Sequence, residues 1–145
     1  MTIVVLDANV LAPGFVGTTS VSVRLINLWQ SGGYELVLSE HLLGELSRTY
    51  TNSYFRARVT AEQAERILIL LRTDARITPL TVSVTGVATQ PTDDLVLATG
   101  LSGGATYLAT RDRQLLKLEK YRGLQIVPPG RLLALLESEE GMGFP

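Results

Sequence analysis

Residues 4–11, Val-Val-Leu-Asp-Ala-Asn-Val-Leu, set a carboxylate inside an apolar run. The stretch over 2–6 is short and β-branched, as a buried strand requires, and Asp7-Ala8-Asn9 ends it before a loop containing Pro13, Gly14 and Gly17. An unpaired carboxylate in such surroundings is costly, so Asp7 needs a cation or several hydrogen-bond donors.

Downstream, strand and helix signals alternate. Thr18 to Ser20 offer N-caps for a helix through Trp29, with Val23, Ile26, Leu28 and Trp29 as its apolar residues, and Ser31-Gly32-Gly33 stops it. Tyr34 to Leu38 reads as a second strand, and Ser39 is placed to cap a helix carrying Leu42, Leu43, Leu46 and Tyr50. Thr60-Ala61-Glu62-Gln63 is a capping box for a third helix, which pairs with the second as a hairpin. Thr81 to Val84 alternates like a strand or an extended loop, and Thr92 can cap a helix over 93–102 that is apolar on most sides. Thr106 to Ala109 is read as a strand, Asp112 to Leu118 as a short helix, Leu124 to Val127 as a strand and Arg131 to Glu137 as a terminal helix. The order β-α-β-α-α-(β)-α-β-α-β-α implies a three-layer α/β/α sandwich with a mainly parallel central sheet. One domain over residues 1–138 is expected, followed by a frayed tail over 139–145.

Composition narrows the chemistry. There is no cysteine and one histidine, which excludes disulfides, thiolate sites and histidine-rich zinc sites and leaves oxygen ligands suited to Mg²⁺ or Mn²⁺. The net charge of −1 gives no global basic field, so any nucleic-acid contact must come from a local patch. Hydrophobic residues make up 46% of the chain, an excess that a core or a partner surface must absorb. Asp7 interrupts the first apolar run too early for a signal peptide or membrane span, and a cytoplasmic protein is expected.

The acidic residues fall where strands or loops run into helices: Asp7, Glu45 in Ser-Glu-His-Leu-Leu-Gly-Glu-Leu, Asp93 and Asp94 in Pro-Thr-Asp-Asp-Leu-Val-Leu-Ala, and Asp112 in Thr-Arg-Asp-Arg-Gln-Leu-Leu. Ligands of open parallel sheets bind outside the carboxyl ends of the strands, where Asp7 and Asp112 are expected. Capping alone also explains carboxylates at helix starts. Several acids sharing one cleft, however, raise one another's pKa unless a cation neutralises them, and a metal-bound water could then attack a phosphodiester. His41 is read as a surface or capping residue. Arg48, Arg56 and Arg58, interleaved with Tyr50, Tyr54 and Phe55, are either ordinary surface charge, a phosphate rim that stacks bases, a docking face or a dimer edge.

In order and spacing these motifs, over Ile3 to about Leu136, resemble those of PIN domains, and most closely the VapC-like toxins of prokaryotic toxin–antitoxin modules. The resemblance implies a Mg²⁺- or Mn²⁺-dependent endoribonuclease, commonly a homodimer, silenced by an antitoxin in its active-site groove. Carried over by motif, Asp7 is the first-strand metal ligand, Glu45 the helix acid, Asp94 the helix-start acid with Asp93 as its alternative, and Asp112 the acid of the Thr-x-Asp turn. The resemblance also implicates Asn9, and Thr110 as the residue that orients the Asp112 loop. The chain departs from the pattern at Gln90, where an acid is common, and at Arg111, where glycine is common; Arg111 either contacts substrate phosphate or is a solvated turn cation. Two further readings compete. One is a non-catalytic PIN-like module that binds RNA or protein. The other is a phosphotransfer domain, disfavoured because Asn9 replaces the second acid of Asp-x-Asp and no lysine is suitably placed.

Overall fold

The computed structural model describes the backbone of residues 1–142 and the side chains of residues 1–139. Its centre is a six-stranded sheet built from β1 (Ile3–Leu6), β2 (Glu35–Leu38), β3 (Arg76–Ile77), β4 (Tyr107–Ala109), β5 (Lys120–Tyr121) and β6 (Leu124–Val127). The strand order is β3-β2-β1-β4-β6-β5, parallel throughout except for the β5–β6 hairpin. Val4, Val5 and Leu6 are wholly buried, as a central parallel strand covered on both faces requires. The chain leaves β1 toward β2 and later returns to pair β4 on the other flank of β1, so strand order reverses between β1 and β4. That reversal opens the crevice in which such sheets bind ligands.

The helices are α1 (Ala8–Leu11), α2 (Val21–Gln30), α3 (Glu40–Thr49), α4 (Ser53–Arg56), α5 (Ala61–Asp74), α6 (Pro91–Ser102), α7 (Arg113–Leu116) and α8 (Pro129–Met142). The architecture is the three-layer α/β/α sandwich with a mainly parallel sheet. Ser20, Ser39 and Thr60 cap α2, α3 and α5 through their hydroxyls, and Gln63 completes the capping box at α5. Helix α6 lies against β1, β2 and β4, and its glycines allow the approach: a Cβ on Gly103 would stand 2.4 Å from Val37 Cγ1, and one on Gly100 2.6 Å from Leu124 Cδ2.

Several elements differ from the sequence reading. The loop after Asp7 coils into α1 and a 3₁₀ turn over Ala12–Phe15, which Tyr50 anchors by donating its hydroxyl to Ala12 O at 2.9 Å. Of the two readings of Thr81 to Val84, the structure takes the extended loop and not the strand: Ser102 Oγ accepts from the backbone N–H groups of Thr81 and Val82 and tethers it. Helix α6 starts at Pro91 with Gln90 in the capping position, so Thr92 lies inside the helix. Helices α3 and α5 pack together, with α4 inserted between them in sequence. Residues 139–142 belong to α8, and Thr2 Oγ1 donates to Glu139 Oε2 at 2.7 Å; residues 143–145 of the expected frayed tail lie outside the described residues.

Val37 is fully buried and β-branched, so it has little freedom to retreat from a methyl group at position 103. Gly103→Ala is expected to cost about 1–3 kcal/mol in urea unfolding, the range for overpacking a filled core; an unchanged midpoint would show that α6 shifts without penalty.

Candidate active site

Asp7 sits where β1 ends, with its backbone N–H still on the ladder to Ala109 O at 2.9 Å. Its residue is 5% exposed, and both carboxylate oxygens are held: Ala8 N–H donates to Oδ1 at 2.8 Å and Thr110 Oγ1 donates to Oδ2 at 2.7 Å. The same Thr110 hydroxyl accepts from Asp112 N–H at 3.0 Å, and Asn9 Oδ1 accepts from Arg111 N–H at 3.0 Å. The Thr-Arg-Asp turn after β4 is therefore fastened to the start of α1 by side chains of both segments. Asp112 spends one carboxylate oxygen on capping α7, accepting from Gln114 and Leu115 N–H groups.

Glu45 enters from α3 and Asp93 from the first turn of α6. These helices are fixed to each other by a buried hydroxyl pair: Ser39 Oγ and Thr99 Oγ1 lie 2.7 Å apart. Thr99 donates to Leu95 O, so its own proton is committed and Ser39 is the donor of the pair. Asp7, Asn9, Glu45, Asp93, Asp112 and Arg111 all line one open cleft of about 480 Å³, beside Thr49, Tyr54 and Phe55.

Asp93 and Asp94 are turned apart. Consecutive helix residues point about 100° from each other, so only one of two adjacent acids can face the cleft. Asp94, 6% exposed, faces away from it and clamps the preceding loop: Gly86 N–H donates to Oδ2 at 2.9 Å, and Val87 and Ala88 N–H groups donate to Oδ1 at 3.2 and 2.7 Å. Gly86 has φ +70°, which lets three successive amides converge on one carboxylate. The helix-start acid that reaches the cleft is thus Asp93, the alternative in the sequence reading.

His41 also differs from its reading as a surface or capping residue. Its side chain is 13% exposed, with Nε2 2.9 Å from Glu45 Oε1 one helical turn on. The ring nitrogen makes no well-directed hydrogen bond there. The spacing of four between His41 and Glu45 is the sequence signal that could have found it. Arg111 reaches back to donate to Ser22 Oγ at 3.1 Å while lining the cleft, whereas Arg48 is exposed on α3 and does not line it, its guanidinium resting 3.6 Å from the position of a Cβ on Gly44.

Burial pushes the Asp7 carboxyl above its ordinary range, the Thr110 and Ala8 hydrogen bonds oppose that, and the charges of Glu45 and Asp112 add to it. Asp93 is raised in the same way, first by burial and then by Asp112, Asp7 and Asp94, with the His41 ring opposing. The acids of the cleft therefore feel one another as like charges. Yet among the described residues no three acidic or imidazole side chains converge tightly enough to enclose an ion. Asp7 and Asp112 lend oxygens to backbone groups and the Thr110 hydroxyl, and Glu45 lies against His41.

A mainly parallel sheet with an acid-lined cleft at its switch point places the chain among α/β proteins whose sites lie at the carboxyl edge of the sheet. Within that class, a PIN-domain family model matches residues 3–114, and the chain belongs to the PIN-domain family. Among solved structures it is similar to VapBC2 from Rickettsia felis bound to a DNA fragment from their promoter, with TM-score 0.60 and 16% identity over 86% of this chain and 97% of that one. It also matches the RRP44 PIN domain of T. brucei, with TM-score 0.49 and 14% identity over 97% of this chain and 83% of that one. A comparison with curated proteins gives no match.

Two predictions separate these carboxylates. A raised folded-state pKa means that Asp7 favours folding fully below the unfolded value of about 3.9, and that this contribution is lost as pH rises through the folded value. In chelator, Asp7→Asn is therefore expected to melt higher than the unsubstituted protein at pH 7, by about 3–5 °C for each unit of raised pKa, and to converge with it below about pH 4; a lower melting point at pH 7 would refute the sign. Asp94→Ala is expected to speed amide exchange at Gly86, Val87 and Ala88 and to cost about 1.5–3 kcal/mol, the range for hydrogen bonds to a charged group. Asp93→Ala should leave those amides protected.

Proposed function

We propose that this chain is a Mg²⁺- or Mn²⁺-dependent endoribonuclease acting as the toxin of a toxin–antitoxin pair, with Asp7, Glu45, Asp93 and Asp112 as its acidic set. The observation that carries this reading is the convergence of those four acids on one cleft at the switch point, where burial first, and then the charge of neighbouring acids, raises the carboxyls of Asp7 and Asp93 above their ordinary range. Membership of the PIN-domain family supports nuclease chemistry, and the likeness of fold to the VapBC2 toxin–antitoxin complex supports an antitoxin as partner.

The donor set fits a hard divalent cation. All its ligating atoms are carboxylate oxygens, and Mg²⁺ binds through one or two carboxylates while keeping several waters, so a tight three-acid cage is not required. When bound, the ion supplies a water of lowered pKa and neutralises charge on the phosphodiester. Asp7, fixed from both sides by Ala8 and Thr110, would hold the ion together with Asp93 and Asp112, and Glu45, beside His41, would orient a water in the cleft. Thr110 and Asn9 keep the Asp112 turn in register with Asp7. Arg111, braced on Ser22, contacts a substrate phosphate. In this reading the protein acts in the cytoplasm, and its apolar excess is covered by a second copy and the antitoxin.

Cleavage of a mixed RNA pool with Mg²⁺, Mn²⁺ or chelator tests this. Cutting should require the metal and fall by about 10²–10³-fold in Asp7→Asn and in Asp93→Asn, the scale of removing one preorganised electrostatic contact. Asp94→Asn should retain cutting when folded. Metal-independent cutting, or full activity in Asp7→Asn, would sink the reading; RNA retained without cleavage would favour a binding module.

A further inference from the structure

The interleaved arginine and aromatic stretch after α3 resolves into two unlike parts. Tyr50 and Phe55 are buried, at 4% and 9% exposure, and serve the core. Tyr54 is 56% exposed at the wall of the acidic cleft, and the Arg58 guanidinium lies over its ring, 3.7 Å from the centroid. Two contacts hold this layer in place. Arg58 Nη1 donates to Tyr54 O at 2.8 Å, and Phe55 packs edge-on against Tyr54 with ring centroids 5.0 Å apart.

Arg58 is also where a second groove begins. That groove, of about 370 Å³, runs between the 3₁₀ turn and α5; it contains Arg58 and Arg66 and, among the described residues lining it, no carboxylate. The surface thus passes from an acidic cleft, across an exposed ring layered with a guanidinium, into a groove where two arginines stand among Phe15, Val16, Val59, Ile67 and Leu70. A single-stranded polynucleotide has the complementary form, since its bases stack on aromatic and guanidinium planes while its phosphates seek cations.

We propose that the Tyr54–Arg58 layer is a stacking platform for a nucleotide of single-stranded RNA beside the scissile position, and that Arg58 and Arg66 take the backbone phosphate that follows. The proposal rests on the ribonuclease reading for the identity of the strand, but the platform itself is a binding device and is testable without cleavage. Neither residue belongs to the acidic set.

The test is fluorescence anisotropy of a labelled single-stranded RNA 12-mer of mixed sequence, titrated with the full chain in chelator across a range of salt. Tyr54→Ala is expected to weaken binding about tenfold, the effect of losing one stacked base, while Tyr54→Phe, which keeps the ring, binds like the unsubstituted protein. Arg58→Lys, which keeps charge but not the plane, should also weaken binding. Arg66→Ala should weaken it with a shallower salt dependence, as loss of one phosphate contact predicts. Equal affinity of Tyr54→Ala and the unsubstituted protein would overturn the platform and leave this face to a protein partner, as would absence of binding at low salt. Ring-dependent binding by a protein that never cuts would retain the platform while removing the nuclease.

Discussion

The carboxylate of Asp7, buried at the end of the central strand, is the constraint on which the arrangement around it depends. A charge there is tolerated only if its oxygens are engaged, and the chain engages them with a backbone amide of α1 and the Thr110 hydroxyl that follows β4. Those two donors come from the segments that flank the switch point, so satisfying Asp7 also sets the register of the Thr-Arg-Asp turn against α1. Asn9 and Thr110 extend the same network to Arg111 and Asp112. The cleft is shaped by the hydrogen bonding of one acid before any ligand enters it.

The second anchor is the hydroxyl pair of Ser39 and Thr99. It ties by a hydrogen bond the two helices that carry Glu45 and Asp93. Each hydroxyl also answers to its own helix: Ser39 caps α3 through Leu42 N–H, and Thr99 donates to Leu95 O within α6. A buried polar pair satisfied at every atom fixes one arrangement among several that apolar packing alone would permit.

Much of this was legible in sequence because it is local. Ser20, Ser39 and Thr60 announce helix starts by their own hydrogen bonding, and the apolar runs at 3–6, 35–38 and 124–127 form strands because burial favours them wherever they pair. The two-residue strands escaped because their stability is tertiary: β3 is held on the β2 edge with Arg76 bridging Glu35 and Gly103 O, and β5 exists only because Glu119, Arg122 and Gly123 turn through positive φ. The Asp93–Asp94 ambiguity has the same origin. Spacing along α6 does not say which acid faces the sheet edge, since that depends on the helix's rotation, set by Gly100 and Gly103 against Leu124 and Val37. The 86–88 loop then consumes the acid turned away.

A net charge near zero conceals a strong separation of charge. Acids gather at the switch point, where they repel one another and share the cleft with Arg111, while Arg58 and Arg66 stand in the neighbouring, otherwise largely apolar groove. Arg111, which does line the cleft, donates to Ser22 Oγ; ion pairs from it to the carboxylates would neutralise them and leave them unable to attract a cation. His41 is an intermediate case, since it steadies Glu45 and offsets the charge on Asp93 from a largely buried position without closing the cleft. Keeping like charges together and opposite charges adjacent costs folding stability at the cleft. It also preserves a local field for a cation beside one for a polyanion, and a nearly neutral chain has no other means of presenting both.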